Sequence, residues 1–78
     1  MWGRPTLVRA IAAERRRLGL RIRELREQGG LTQERLAELA GLHPKHMPRV
    51  EAGVANVTIA TLVALARGLG VPLGSFFD

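Results

Sequence analysis

Two short helical patterns separated by a single glycine, over Leu31–Gly53 (LTQERLAELAGLHPKHMPRVEAG), limit what this chain can fold into more than any other feature. A helix of about eight residues is not stable alone in water, so both must pack on flanking helices. The first pattern, Gln33–Ala40, has Thr32 as its cap and Leu36, Ala37 and Ala40 on its inner face. Its third position is Arg35, so no reciprocal capping box forms. Gly41 supplies the turn. The second pattern starts at His43 or Lys45, points Met47 and Val50 inward, and runs to about Ala52 before Gly53 stops it.

The flanks supply the required helices. After an irregular start with Gly3 and Pro5, Thr6 is placed to cap a first helix. Leu7, Ile11, Leu18, Ile22 and Leu25 keep roughly helical spacing, although Glu14 and Arg15 interrupt the stripe. Either one helix runs to about Gln28, or a short arm helix precedes one that starts near Leu18. Gly29-Gly30 ends the pattern. Downstream, Thr58 caps a helix over Ile59–Leu69 with Ile59, Leu62, Val63, Leu65, Ala66 and Leu69 apolar. Gly70 ends it, and Pro72 suits the first turn of a last short helix, Leu73–Phe77. No hairpin signal or internal repeat is present. The expected fold is all-α.

Composition narrows the function. With 78 residues the chain suits one small domain, and with no cysteine it has neither disulfides nor thiolate metal sites. No apolar run approaches the about 18–20 residues that span a bilayer. Arg4 and Arg9 break any secretory apolar core. The expectation is a cytoplasmic, nucleoid-associated protein with no membrane partner. His43 and His46 read as a cap and a surface residue rather than metal ligands. No HExxH, GxSxG or phosphate-loop pattern occurs, and Gly68–Gly70 is a helix end. We therefore expect no cofactor, no metal and no enzymatic activity.

Charge is distributed unevenly. Residues 1–28 hold eight arginines against three glutamates, a net of +5, while residues 29–78 balance four against four. A basic arm favours a polyanion. Trp2, within that arm, carries no functional signal of its own. The outer side of the second short helix adds Pro44, Lys45, Pro48 and Arg49. Lys45 and Arg49 stand one helical turn apart with no acid three or four residues away on that side, which suits a polyanionic groove. The Gly-linked pair thus reads as a helix-turn-helix that sits on DNA.

Residues 18–77 resemble the Cro/C1-type helix-turn-helix family, also called the XRE family. The matching pieces are LGLRIRELREQGGLTQERLAELAGL, then RVEAG, then NVTIATLVALARGLGVPLGSFF. Asn56-Val57-Thr58-Ile59 is also similar to restriction–modification controller proteins, a branch of that family. The resemblance implies a compact five-helix bundle of the lambda-repressor-like type, spanning residues 18–78 behind a basic N-terminal extension, residues 1–17, that lengthens helix 1 in one of the two readings above. It implies a transcriptional regulator that binds a pseudo-palindromic operator in double-stranded DNA as a homodimer. The family's base-reading positions fall at Pro44, Lys45 and Arg49, with His46 and Pro48 beside them. Its phosphate-bracing position falls at Gln33, and its backbone-facing loop at Val54–Asn56. Glu51, in the last turn of the third helix, faces the unfavourable end of the helix dipole and so needs a cation. The resemblance points to Arg26, giving a partly buried Arg26–Glu51 pair.

The match loosens at Pro48. If His43 caps the third helix, Pro48 is its fifth residue and loses a hydrogen bond to residue 44, at a cost of about 3 kcal/mol. If Lys45 caps it, Pro48 is third and has no bond to lose. A kinked helix of family length, a short helix starting after Lys45, and a little-disturbed helix all remain open. Phe76 and Phe77 are adjacent, so one closes the bundle and the other is free for a dimer partner, the family pairing in this region. An alternative function is a protein-interaction module whose reader helix is altered by Pro48, bound to a protein regulator in the manner of an antitoxin.

Overall fold

The computed structural model describes residues 4–78. The expectations placed on Trp2 and Gly3 lie outside the described residues. The elements are α1 (Arg4–Gln28), α2 (Gln33–Ala40), α3 (His46–Glu51), α4 (Ile59–Leu69) and a 3-10 turn, Leu73–Phe76. No strand occurs among the described residues.

Among the described residues four α-helices are present where five were expected, because the last element is a single 3-10 turn. Its bonds run three residues back, Ser75 N–H to Pro72 O and Phe77 N–H to Gly74 O, both at 3.0 Å. With Gly74 in its middle and four residues in all, it is too short for an α-helical nucleus.

α1 is one continuous helix of 25 residues, so the arm and the first family helix are a single rod. It starts at Arg4, two residues ahead of the expected cap Thr6, which lies exposed within the first turn. Pro5 is tolerated there because the first-turn N–H groups have no intrahelical acceptor. The core-facing stripe of Leu18, Ile22 and Leu25 continues past the bundle as Leu7, Val8 and Ile11, which are 50%, 64% and 41% exposed.

The core is built from the faces that periodicity marked. Ile22, Leu36, Ala37, Met47, Val50, Leu62, Leu65 and Ala66 are buried, and Phe76 closes one end. α2 lies against α4, and α3 against α1 and α2. Ile59 and Val63 of α4, although apolar, point outward. Thr32 Oγ accepts from the Arg35 N–H at 3.0 Å, and Thr58 Oγ from the Thr61 N–H at 3.1 Å, so both caps form. Gly41 holds φ 70°, a left-handed conformation that a side chain would resist, and so makes the turn between α2 and α3.

α3 starts late. Lys45 is its N-cap and Pro48 its third residue, which selects the short-helix reading over the kinked and undisturbed ones. The Pro44 carbonyl that Pro48 cannot serve accepts instead from the Met47 N–H at 3.3 Å. Pro48→Ala is therefore expected to change stability by less than about 1 kcal/mol, rather than to relieve a large strain. Chemical denaturation of the two proteins checks this; a gain of 2 kcal/mol or more contradicts the geometry.

Candidate nucleic-acid interface

α2, the turn through residues 41–45 and α3 present one continuous outer surface. Pro44, Lys45, Pro48 and Arg49 are exposed on it, and His46 is half-buried at the start of α3. Lys45 has right-handed backbone angles, φ −66° and ψ −18°, although it precedes the helix proper. The chain from Lys45 to Arg49 is thus one right-handed turn, and the two cations keep neighbouring positions despite the late helix start. Neither forms an ion pair among the described residues. An acceptor of negative charge facing this side would meet two uncompensated cations.

Behind that surface lies a buried polar cluster. Arg26 and Glu51 have side chains only 12% and 4% exposed. Arg26 Nε donates to Glu51 Oε2 at 2.6 Å and Nη2 to Oε1 at 3.0 Å, a bidentate pair. Nη1 donates to the Leu31 carbonyl at 2.8 Å, so the guanidinium also ties down the loop before α2. The Glu51 hydrogen bonds raise the Arg26 pKa above its ordinary value, against the lowering effect of burial. Arg26 therefore stays charged at any pH at which the protein functions. Gln33 Nε2 donates to Glu51 Oε1 at 3.0 Å, a contact with no counterpart in the sequence reading.

Asn56 lies exposed in the loop after α3, where its Oδ1 accepts from the Arg15 guanidinium of α1. The same stretch of α1 passes directly over the end of α3. A Cβ built on Gly53 would lie 2.7 Å from the Arg16 Cα, and one on Gly19 2.5 Å from the Val50 carbonyl oxygen. α1, α3 and the loop that follows α3 thus approach one another at the backbone. His43 Nδ1 accepts from the Lys45 N–H at 3.2 Å, which gives this side chain a local role in the turn. Among the described residues no group of three or more histidines and acids gathers to hold a metal ion.

Phe76 and Phe77 divide as two adjacent aromatics must: Phe76 is 3% exposed and Phe77 64%. Phe77 borders a groove of about 890 Å³ between α1 and the C-terminal turn, whose other apolar walls include Ile11, Leu18, Leu20 and Val57. Arg21 Nε holds the turn against α1 by donating to the Ser75 carbonyl at 2.8 Å.

Two short helices about a left-handed glycine, braced by a buried ion pair and cationic on the outside, define a helix-turn-helix module. The chain belongs to the family described as "Helix-turn-helix domain", whose profile matches residues 17–74. It is 44% identical over 48 residues to the control protein C.SmaI of Serratia marcescens, covering 62% of this chain and 57% of that protein. It is 39% identical over 60 residues to the HTH-type transcriptional regulator PuuR of Escherichia coli, covering 77% of this chain and 32% of that one. The chain thus spans about half or less of these relatives' lengths. Among solved structures it is similar to the restriction-modification controller protein C.AhdI of Aeromonas hydrophila. The TM-score is 0.82 at 38% identity, over 83% of this chain and 98% of that one. Among the described residues no helix is long and apolar enough to cross a membrane.

Proposed function

We propose that this protein is a sequence-specific DNA-binding transcriptional regulator. The observation that carries the reading is Lys45 and Arg49, exposed on the outer side of a family helix-turn-helix and without an ion pair among the described residues. Arg49 takes a guanine edge bidentately, Lys45 a base or a phosphate, and Gln33 a phosphate oxygen. Pro44 and His46 pack beside the bases, and Asn56 meets the backbone. The arm through residue 17 adds sequence-independent phosphate affinity through its arginines. Two copies pair about a two-fold axis through Phe77 and the turn behind it that Phe76 anchors, setting half-sites about 34 Å apart on a pseudo-palindromic operator. The relatives named as a control protein and a transcriptional regulator support this reading.

Arg49→Ala is expected to weaken binding to the upstream DNA of its own gene by about 5–150-fold and to relax preference at one base pair. Fluorescence anisotropy at two salt concentrations measures it. Unchanged affinity in that variant points instead to a protein-interaction module. The short α3, only six residues long, is what favours that second reading.

A further inference from the structure

The Glu51 carboxylate touches more than its cation. Oε1 accepts both from Arg26 Nη2 and from Gln33 Nε2, each at 3.0 Å. A carboxylate only accepts, so the end of the Gln33 amide turned toward it is the NH₂ and not the carbonyl. An unrestrained glutamine offers a visiting anion either end, one attractive and one repulsive. Here the choice is made in advance, and one Nε2 proton is left over. The bidentate Arg26 cancels the carboxylate charge behind the amide, so an approaching anion meets a neutral pair rather than a bare negative charge. Gln33 is also the first residue of α2, where the backbone N–H groups have no intrahelical acceptor.

We propose that Glu51 is a positioning residue for the DNA backbone: it holds the Gln33 amide so that the second Nε2 proton donates to a phosphate oxygen. The inference rests on the DNA-binding reading above. Its consequence is a shared register. Glu51 and Arg49 sit on the same short helix, so the phosphate donor on α2 is fixed relative to the residue that meets the base edge.

The test is a double-mutant cycle on duplex binding, read by anisotropy at a temperature where circular dichroism shows each protein folded. Gln33→Met and Glu51→Gln are each expected to weaken binding about fivefold. The double variant is expected to be no weaker than the poorer single one. Losses that multiply, to about 25-fold, overturn the coupling. If Glu51→Gln does not fold, the Gln33 side-chain NH₂ resonances of the wild-type protein decide instead. Two well-separated, slowly exchanging protons, only one of which shifts strongly when duplex is added, support the proposal. An averaged pair like that of an exposed glutamine, or no shift at saturating duplex, overturns it. A wild-type protein that binds no duplex sinks the DNA reading and this inference together; wild-type binding with independent losses sinks this inference alone.

Discussion

Glu51→Ala is expected to remove about 3–5 kcal/mol of folding stability. Domains of this size have only about 5–15 kcal/mol to lose, so the variant will be close to unfolded at 37 °C. The cause is less the lost attraction than the charge left behind. Arg26, 12% exposed, would keep a guanidinium whose Nε and Nη2 have no acceptor, and Gln33 would lose its anchor as well. Urea denaturation followed by circular dichroism gives the size of the effect. The double substitution Arg26→Met with Glu51→Leu separates the two causes. Removing both charges leaves nothing uncompensated, so the pair is expected to recover much of what the single variant loses. If the double variant is as unstable as Glu51→Ala, the hydrogen bonds themselves, and not the orphaned charge, hold α1, α2 and α3 together.

Gly19→Ala carries the other large effect. In an isolated helix this change is favourable by about 1 kcal/mol. Here the added Cβ would lie 2.5 Å from the Val50 carbonyl oxygen and 2.6 Å from that of Glu51. Both are backbone atoms in the last turn of α3, and neither can swing aside as a side chain would. α1 must therefore lift off α3. We expect a net loss of about 2 kcal/mol, which lowers the melting temperature by about 8–16 °C in a domain of this length. A melting temperature that rises on substitution would mean that the helices are not in backbone contact at this point. Because the displaced helix also carries Arg26, the Gly19 variant should weaken the ion pair too, and the two substitutions should not be additive.

These two residues show what a sequence can and cannot disclose. Glu51 was legible because an acid in the last turn of a helix needs a cation, and the family resemblance named Arg26 for it. In the sequence itself Gly19 is no more than a poor helix former inside a helical pattern. Its meaning depends on which helix crosses it and how closely, and spacing along one strand of sequence carries no such information. The glycine and threonine punctuation located α2 and α4 because caps are local chemistry: Thr32, Gly41, Thr58 and Gly70 each act within four residues. The start of α3 is not fixed by local sequence, because Pro48 is compatible with a helix capped by Lys45 and costly in one beginning earlier. Leu73–Phe77 has helical apolar spacing but too few residues to propagate an α-helix, so it closes as a 3-10 turn. At the site, the exposed residues of α3 follow from periodicity, whereas the Gln33–Glu51 and Arg15–Asn56 contacts join segments 18 and 41 residues apart and leave no trace in composition.

The single rod formed by α1 has a bearing on the arm's order. About fifteen residues standing alone would be a marginal helix in water, since the first turn is costly to nucleate. In α1 that nucleus already exists where Leu18, Ile22 and Leu25 pack, so the arm only has to add turns to a helix that has begun. Each added turn gains a hydrogen bond per residue without a fresh nucleation cost. Arg15 and Arg16 stay against the loop after α3, whereas the turns around Arg9 are carried beyond the packed half, ordered as far as that half can propagate its own winding.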